Sequence, residues 1–545
     1  MTSPQLSAPR RRTRTAALSR TVLATASTLA LLTSCASSED AEKRASGPTV
    51  GAFTPGLVNI PDAGDPVSGG KLTFGSYAEP LELDPVKTIV AGTTGGNEMA
   101  AIYDVLMRWD EDEQAVVPQL AESLTPDDDH TTWTLTLRPD VEFSDGTVLD
   151  AEAVRWSIQR YLDQGGHDAA VWSHNVETME VTGDLSLQFT LARPWPSFDS
   201  LFTTGIGMVV AKASDAGKQF TPIGAGPFVL EDRAPQERMT FAANPDYYDG
   251  EPAIDTLEFV YIVDPNALWD SFGQEEVSMA ILRDPIVVEE ALTEKTPGYL
   301  QMVGLGVTGL INSREGHPGH DVRVRQAIQL AMDPELVNER ANDGAGVVSS
   351  SLFPDVSRFH QEGVTGLPHD PDRARELVEE AKADGYDGKI TYLQGSSPQQ
   401  RAIGQAIEAQ LDAVGFDAKA EYLPSITDLI SRVVVDGDYD MSTWALSWRD
   451  SAPYARMFGI NHSAGGTGYG TATSPEMDKL IEDFQAAATE EEHLAAAEAL
   501  QEGWNELVPA MVLGPSAEFS PWQENVHGVI TNSNTMVLLD EAWVS

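Results

Sequence analysis

Side chains capable of chemistry are plentiful in this sequence, but few stand at the spacings that chemistry requires. Asp436, Asp438 and Asp440 alternate as carboxylates do at the start of a calcium loop. The sixth position, however, is Met441 where a glycine must turn, and the twelfth is Ser447 rather than Glu, so the match fails. His317-Pro318-Gly319-His320 offers two imidazoles to a soft metal, yet Pro and Gly at its centre favour a solvated turn. There is no GxxxxGK[ST] phosphate loop, no HExxH and no GxSxG nucleophile elbow. Neither a catalytic constellation nor a metal or cofactor is therefore expected, and a secreted hydrolase with paired carboxylates is a remote alternative. One cluster stands out. Trp444 and Trp448 are followed by Arg449 and Asp450, with Tyr454 close behind. Large aromatic area beside both signs of charge can hold a small polar solute, although Trp444 could equally face inward from a strand.

The lone thiol is the second informative residue. Arg10, Arg11, Arg12, Arg14 and Arg20 form a basic start, and Val22 to Leu32 is an apolar run too short to span a bilayer. It ends in Leu32-Thr33-Ser34-Cys35, which resembles a bacterial lipobox. That resemblance implies a signal peptide over 1–34, cleavage before Cys35 and a diacylglycerol on its sulfur. The chain would then be lipid-anchored on the extracytoplasmic face of the cell membrane without spanning it. The paired arginines lack the apolar residues that usually follow a twin-arginine motif, so general secretion is favoured. Residues 35–69, rich in Ser, Ala, Gly, Pro and Asp, are expected to be a flexible tether.

Composition narrows the partners. Of 545 residues, 84 are acidic and 35 basic, a net charge of -49 that becomes -54 once the five arginines of 1–34 are removed. Such a field repels nucleic acid and anionic lipid surfaces. A single Cys cannot form an internal disulfide or a Cys-rich metal site. At 41% hydrophobic, the chain can bury large cores.

The elements that must position these residues alternate between strands and helices. Residues 71–75, 132–137, 256–263 and 390–393 read as strands, with Trp133, Leu135 and Leu137 on one buried face. Asp150 caps a helix carrying Val154, Ile158 and Tyr161 on one side. Asp370-Pro371 and Ser474-Pro475 each place proline at a first helical position. Ile403, Ile407, Leu411 and Val414 line another helix, and 490–507 forms one more. The mixture argues an α/β architecture.

From about residue 70 onward the chain resembles the solute-binding proteins of the peptide/nickel (dipeptide- and oligopeptide-binding) ABC importer family. Tyr103-Asp104-Val105-Leu106 and Val117-Pro118-Gln119-Leu120-Ala121-Glu122-Ser123 match its first block. Leu137-Arg138-Pro139, Phe143-Ser144-Asp145-Gly146-Thr147 and Asp150-Ala151-Glu152-Ala153-Val154 match its second. Gly224-Ala225-Gly226-Pro227-Phe228, Asn244-Pro245-Asp246-Tyr247-Tyr248 and Val324-Arg325-Gln326-Ala327-Ile328 follow in order, then Asp440 through Trp448. These residues read as structural: Asp145-Gly146 as a hairpin turn, Gly224 and Gly226 as a backbone corner, and Arg138 as a tie from a strand end to a carboxylate.

The resemblance implies an α/β fold of the two-lobed periplasmic-binding-protein type, hinged around a ligand cleft and carrying an extra inserted domain. Lobe I maps to 70–100, 218–308 and 517–545, the inserted domain to 101–217, and lobe II to 309–516. It implies a monomeric receptor, with no enzymatic role, that closes on a solute and delivers it to a membrane permease with its ATPase. A peptide is the leading solute. The alternatives are an anionic amino-acid derivative, an opine-like compound, a sugar or a chelated metal. The ligand contacts it implies are Tyr77 and Glu79 after the first strand, and Trp444, Trp448, Arg449, Asp450 and Tyr454 in lobe II. Peptide-binding members usually place an Asp for the peptide amino group where Arg449 falls here, with Asp450 next to it. Either the loop is shifted by one residue, or a free peptide N-terminus is not the ligand feature bound at this point.

Overall fold

Strictly alternating apolar residues need one buried face to pack against, and three main sheets supply such faces. The computed structural model describes residues 53–465 and 468–545. The expected signal peptide and Cys35 lie outside these residues. In the first sheet Lys71–Ser76 runs parallel to Thr256–Tyr261 and to Met279–Ala280, and Arg238–Ala243 and Phe228–Ala234 extend it antiparallel. Leu72 and Phe74 meet Leu257, Phe259, Met239 and Phe241 in one core, with Phe74 and Phe259 ring centroids 5.3 Å apart.

The second sheet is antiparallel throughout, in the order Ala121–Pro126, Thr132–Leu137, Ser186–Leu191, Val176–Gly183. Trp133, Leu135 and Leu137 line its inner face with Leu187, Phe189 and Leu191, as the alternation predicts. The helix Ala151–Asp163 buries Val154, Ile158 and Tyr161, and the Asp150 side chain accepts from the Ala153 N–H at its start. Arg160 of this helix forks onto Asp84 at 2.9 and 2.7 Å and reaches Asp215 at 2.6 Å, joining three separate segments through one guanidinium.

The third sheet is built on one long strand, Gly298–Ile311, paired antiparallel with Ala510–Pro521. Gly56–Val58 joins the strand's first residues and Met441–Trp444 its last, and Lys389–Gly395 and Asp417–Leu423 continue parallel beyond. The helices Val322–Ala331, Pro371–Ala383 and Pro398–Ala413 cover this end with Ala327, Ile328, Leu377, Val378, Ile407 and Leu411. At its other end Leu282 bridges to Phe519, tying the ladder to the first sheet's side. The result is a two-lobed α/β fold in which a double strand crosses between the lobes.

That crossover contains a bulge. Pairing skips between Val303 and Val307, and Leu305 takes a left-handed φ of 53°. A Cβ on Gly306 would come within 2.2 Å of Ser516 Oγ, so glycine lets the strands pass. The carbonyls freed at the bulge accept from Leu446 N–H (2.9 Å, to Leu305) and Trp448 N–H (2.8 Å, to Gly304). The loop carrying the Trp-Arg-Asp run is thereby hooked onto the crossover.

Three expectations change. Residues 53–58 are not tether: Phe53 is fully buried and Gly56–Val58 pairs with Gly298–Leu300, because these apolar residues complete a strand edge. Arg138 ties to a carbonyl rather than a carboxylate, its Nε donating to Gln119 O at 2.9 Å while its guanidinium lies over Tyr248. The strand beginning at Thr256 stops at Tyr261, two residues short of expectation. The Asp145-Gly146 turn holds, with Phe143 N–H donating to Thr147 O at 2.8 Å. So does the glycine corner, where a Cβ on Gly224 would lie 2.2 Å from Ile102 O.

The tyrosines of Asn244-Pro245-Asp246-Tyr247-Tyr248 serve a buried carboxyl pair. Tyr247 and Tyr248 donate to Asp104 Oδ2 at 2.7 and 3.1 Å, and Gln119 Nε2 donates to Asp540 at 3.1 Å. Burial, then the neighbouring Asp540, raises Asp104 from 3.8 to about 7. A carboxyl raised on folding takes up a proton, so its contribution to stability is complete below its unfolded pKa and is lost as pH rises through the folded value. Asp104→Asn should flatten the fall in thermal midpoint between about pH 5 and about pH 8 by on the order of 2 °C. Thermal denaturation against pH checks this, and an unchanged slope removes Asp104 as the source.

Candidate functional site

Beside the bulge a cavity of about 280 Å³ opens between the two sides of the crossover, floored by Gln301, Met302 and Gly304. One wall comes from the hairpin Met107–Asp110/Ala115–Pro118, which contributes Trp109 and, at its turn, Glu111. The Trp109 backbone N–H is fixed by Asn532 Oδ1 (2.9 Å), and its indole N–H donates to Glu111 Oε2 (2.8 Å). Tyr299 OH (3.2 Å) and Gln114 Nε2 (2.9 Å) also donate to Glu111.

The facing wall is the hooked loop with the segment around residues 352–358. Trp448 packs edge-on to Trp504 (5.7 Å) and near Phe353 (6.1 Å). Its buried indole N–H has no partner among the described residues, and neither has Ser451 Oγ. Asp450 accepts from Ser357 Oγ (3.0 Å) and from Arg358 N–H (2.8 Å). Burial raises the Asp450 carboxyl against those two bonds. The arrangement can surround a small solute with aromatic faces and carboxylates.

The structure brings only part of the expected set to this cavity. Trp448 and Asp450 line it, while Arg449 between them turns the opposite way, as consecutive residues of an extended loop do. Tyr454 is buried against Trp195 (4.9 Å) and accepts from Asn175 Nδ2 (3.0 Å), a packing position. Trp444 packs on Tyr469 at 5.3 Å. Glu79 accepts from Arg233 Nε (2.5 Å) and Gln236 N–H (2.7 Å), pinning a hairpin turn. Tyr77 donates to Thr93 O (2.5 Å) and accepts from Arg283 (3.0 Å). Trp109, Glu111, Ser357 and Arg358 were not singled out from the sequence, since they belong to no motif and lie far apart along the chain.

Arg449 belongs to a buried ion cluster that joins separate segments of the chain. Its guanidinium donates to Glu518 Oε2 at 2.8 Å, with side chains only 6% and 4% exposed. Glu518 also accepts from Thr535 Oγ1 (2.6 Å) and faces Arg283 Nε at 3.6 Å. Burial alone would raise the Glu518 carboxyl, but Arg449 and then Arg283 outweigh it and hold it low. Because Arg283 also meets Tyr77, the two sequence-expected residues Tyr77 and Arg449 are linked through Glu518 and Arg283 rather than through a shared solute.

A second cross-interface cluster joins the four-stranded sheet's side to the far lobe. His174 Nε2 and His462 Nε2 lie 3.3 and 3.4 Å from Glu482 Oε1. Among the described residues this is the one group of three or more such donors close enough to hold a metal. Arg193 already pairs with the same carboxylate, and His462 Nδ1 accepts from Ala464 N–H (3.1 Å), which leaves the proton on Nε2. Glu482 is thus already paired with Arg193, and burial keeps His462 neutral, so the donor set does not fit a cation site.

Comparison with known proteins identifies the family. Residues 115–468 match the model of the bacterial extracellular solute-binding proteins, family 5. The chain belongs to that family. It is 26% identical over 506 residues to the probable di/tripeptide-binding protein 5 of Pseudomonas aeruginosa, covering 86% of this chain and 94% of that protein. It is 24% identical over 504 residues to the dipeptide-binding protein of Escherichia coli, covering 86% and 93%. In fold it resembles the dipeptide-binding protein of Pseudoalteromonas sp. SM9913, solved with Met-Leu, at a TM-score of 0.74 and 18% identity over 87% of this chain and 100% of that one. No helix among the described residues is long and apolar enough to cross a membrane.

Breaking the buried pair should be expensive. Arg449→Ala leaves buried Glu518 with only the more distant Arg283 as counter-charge and should destabilise the protein by about 2–3 kcal/mol. Adding Glu518→Ala should recover part of that loss, giving a coupling energy above about 1 kcal/mol in denaturant titrations. Strict additivity would mean that the pair does not interact.

Proposed function

We propose that this chain is the solute-capturing component of an ABC importer, held at the outer face of the cell membrane by lipid on Cys35. It acts as a monomer whose lobes close by hinge motion about the Gly298–Ile311/Ala510–Pro521 crossover and present the closed form to a permease. The lobe boundaries inferred from the family blocks, 70–100 with 218–308 and 517–545, 101–217, and 309–516, remain the working division. The mature chain's charge of -54 suits a receptor suspended above an anionic surface rather than lying on it.

The observation that carries this reading is the cavity between facing walls. At about 280 Å³ it stands at the lower end of small-molecule sites, roughly 300–1,000 Å³. That size favours a solute of two or three residues over a longer chain, in keeping with the named ligands of the relatives. Trp448 and Asp450 are the expected contacts that we retain, joined by Trp109 and Glu111. Asp450 and Glu111 supply negative charge for an ammonium group, which Arg449 cannot do from its ion pair. Tyr77, Glu79, Trp444, Arg449 and Tyr454 position the walls. A non-peptide solute bearing an ammonium group fits the same walls and is the second reading.

A panel of dipeptides should raise the thermal midpoint in proportion to the logarithm of concentration over Kd, with no turnover. Trp448→Ala and Asp450→Asn should each weaken the best dipeptide at least about tenfold by calorimetry. A panel in which no dipeptide binds overturns the peptide reading. Cys35→Ser should abolish incorporation of a labelled fatty acid and release the protein from membranes, and retained label would remove Cys35 as the anchor.

A further inference from the structure

A guanidinium donates from every nitrogen and never accepts, so whatever meets it must offer a lone pair. Arg456 stands on the helix Pro453–Asn461, which follows the loop bearing Trp448 and Asp450. Its Nε and Nη2 both donate to Leu446 O, at 3.2 and 2.8 Å, and its Nη1 meets His167 Nε2 at 2.6 Å. The imidazole must accept at Nε2 and carry its proton on Nδ1. Among the described residues no carboxylate pairs with Arg456, and Asp168 acts on it without pairing. A neutral imidazole thus stands where Arg160 and Arg449 find carboxylates.

This bond joins two separate parts of the chain. His167 lies in the turn between Ala151–Asp163 and Ala169–Asn175. Leu446 lies in the loop that becomes a cavity wall, and its own N–H donates to Leu305 O at the bulge. The next residue, Ser447, takes a left-handed φ of 59°, which a residue with a side chain adopts only when its surroundings hold it there. Arg456 grips the carbonyl before this turn, and Gly304 O takes the Trp448 N–H after it. The direction of Trp448 into the cavity depends on both holds.

We propose that Arg456 is a positioning residue for the cavity wall of Trp448, Asp450 and Ser451, latched by neutral His167, so that solute capture holds at neutral pH and loosens in acid. A proton on Nε2 turns the acceptor of Arg456 Nη1 into a donor and sets imidazolium against guanidinium. Arg456 then withdraws from His167, and its fork on Leu446 O weakens with it. Burial, then the Arg456 charge, lowers His167 from 6.5 to about 3. The latched form resists protonation, whereas an unlatched ring in water does not. Latching is complete above about pH 6.5 and is lost progressively as pH falls toward about 3. The other titratable groups around the pair are Tyr469, Arg449 and Asp168, which act on Arg456, and Tyr161, whose hydroxyl donates to Asp168 at 3.1 Å. His462, His174, Glu482 and Arg193 stand at the far end of the same helix. The inference rests on the cavity's being the solute site, and two separate readouts keep the latch distinct from that reading.

The first readout is calorimetry on the whole mature chain with Ala-Ala, which remains mainly zwitterionic between pH 5 and pH 7. Its Kd should rise about tenfold more across that range in the wild type than in His167→Gln, whose amide oxygen accepts from Arg456 without titrating. Every other titrating group is common to the two proteins, so the difference between the profiles reports His167. The second readout needs no solute. Hydrogen exchange at the Leu446 and Trp448 amides, corrected for its intrinsic pH dependence, should lose protection in acid in the wild type and keep it in His167→Gln. Should His167→Gln fail to fold, His167→Asn carries the same comparison. Parallel Kd profiles in the two proteins, or amide protection that acid leaves unchanged in the wild type, overturns the proposal. Should Ala-Ala not bind, the exchange readout decides alone, and that failure counts against the peptide reading rather than the latch.

Discussion

Two antiparallel strands, Gly298–Ile311 and Ala510–Pro521, carry the mechanical continuity of the described body. They serve the first lobe at one end and the second at the other, so each lobe's position is defined relative to one ladder. The bulge at Gly304, Leu305 and Gly306 is where this ladder stops being regular, and the carbonyls it frees are the ones that hold the loop bearing Trp448 and Asp450. A defect in pairing thus becomes the anchor of one cavity wall. The local rule that every buried carbonyl needs a donor explains why the loop docks there.

Charge is organised around the same crossover. An acidic protein could scatter its few arginines over the surface, but Arg449 and Arg160 are buried with carboxylates from other segments. Such pairs add little net stability compared with apolar packing, because desolvation consumes most of the attraction. Their value lies in geometry: a half-broken pair is costly, so the partners hold one arrangement.

Legibility from the sequence divided along the range of the interactions. Alternation found the inner face of Thr132–Leu137, and the caps at Asp150, Ser474 and Asp370 marked helix starts, because those signals lie within a few residues. The apolar residues at 53–58 were missed. A short run in a Gly- and Pro-rich stretch declares itself a strand only when an edge is available to pair with it. The Trp-Arg-Asp cluster was visible as a cluster, but the direction of each side chain was not. Trp448 and Asp450 face the cavity and Arg449 faces Glu518, because the bulge sets the loop's rotation.

Taken alone, the order of family blocks determined the class of fold, and the placement of the lone Cys35 after a short apolar run determined the expectation of an anchored, exported chain. Both are local patterns, readable without knowing what lies nearby in space. Only the tertiary structure decided which residues form the cavity. Trp109, Arg358 and Trp448 come from three separate segments of the chain, and only folding brings them to one cavity. The same holds for charge. Sequence counts the acids and bases, but which carboxylate an arginine such as Arg449 pairs with is settled by distances that only folding sets.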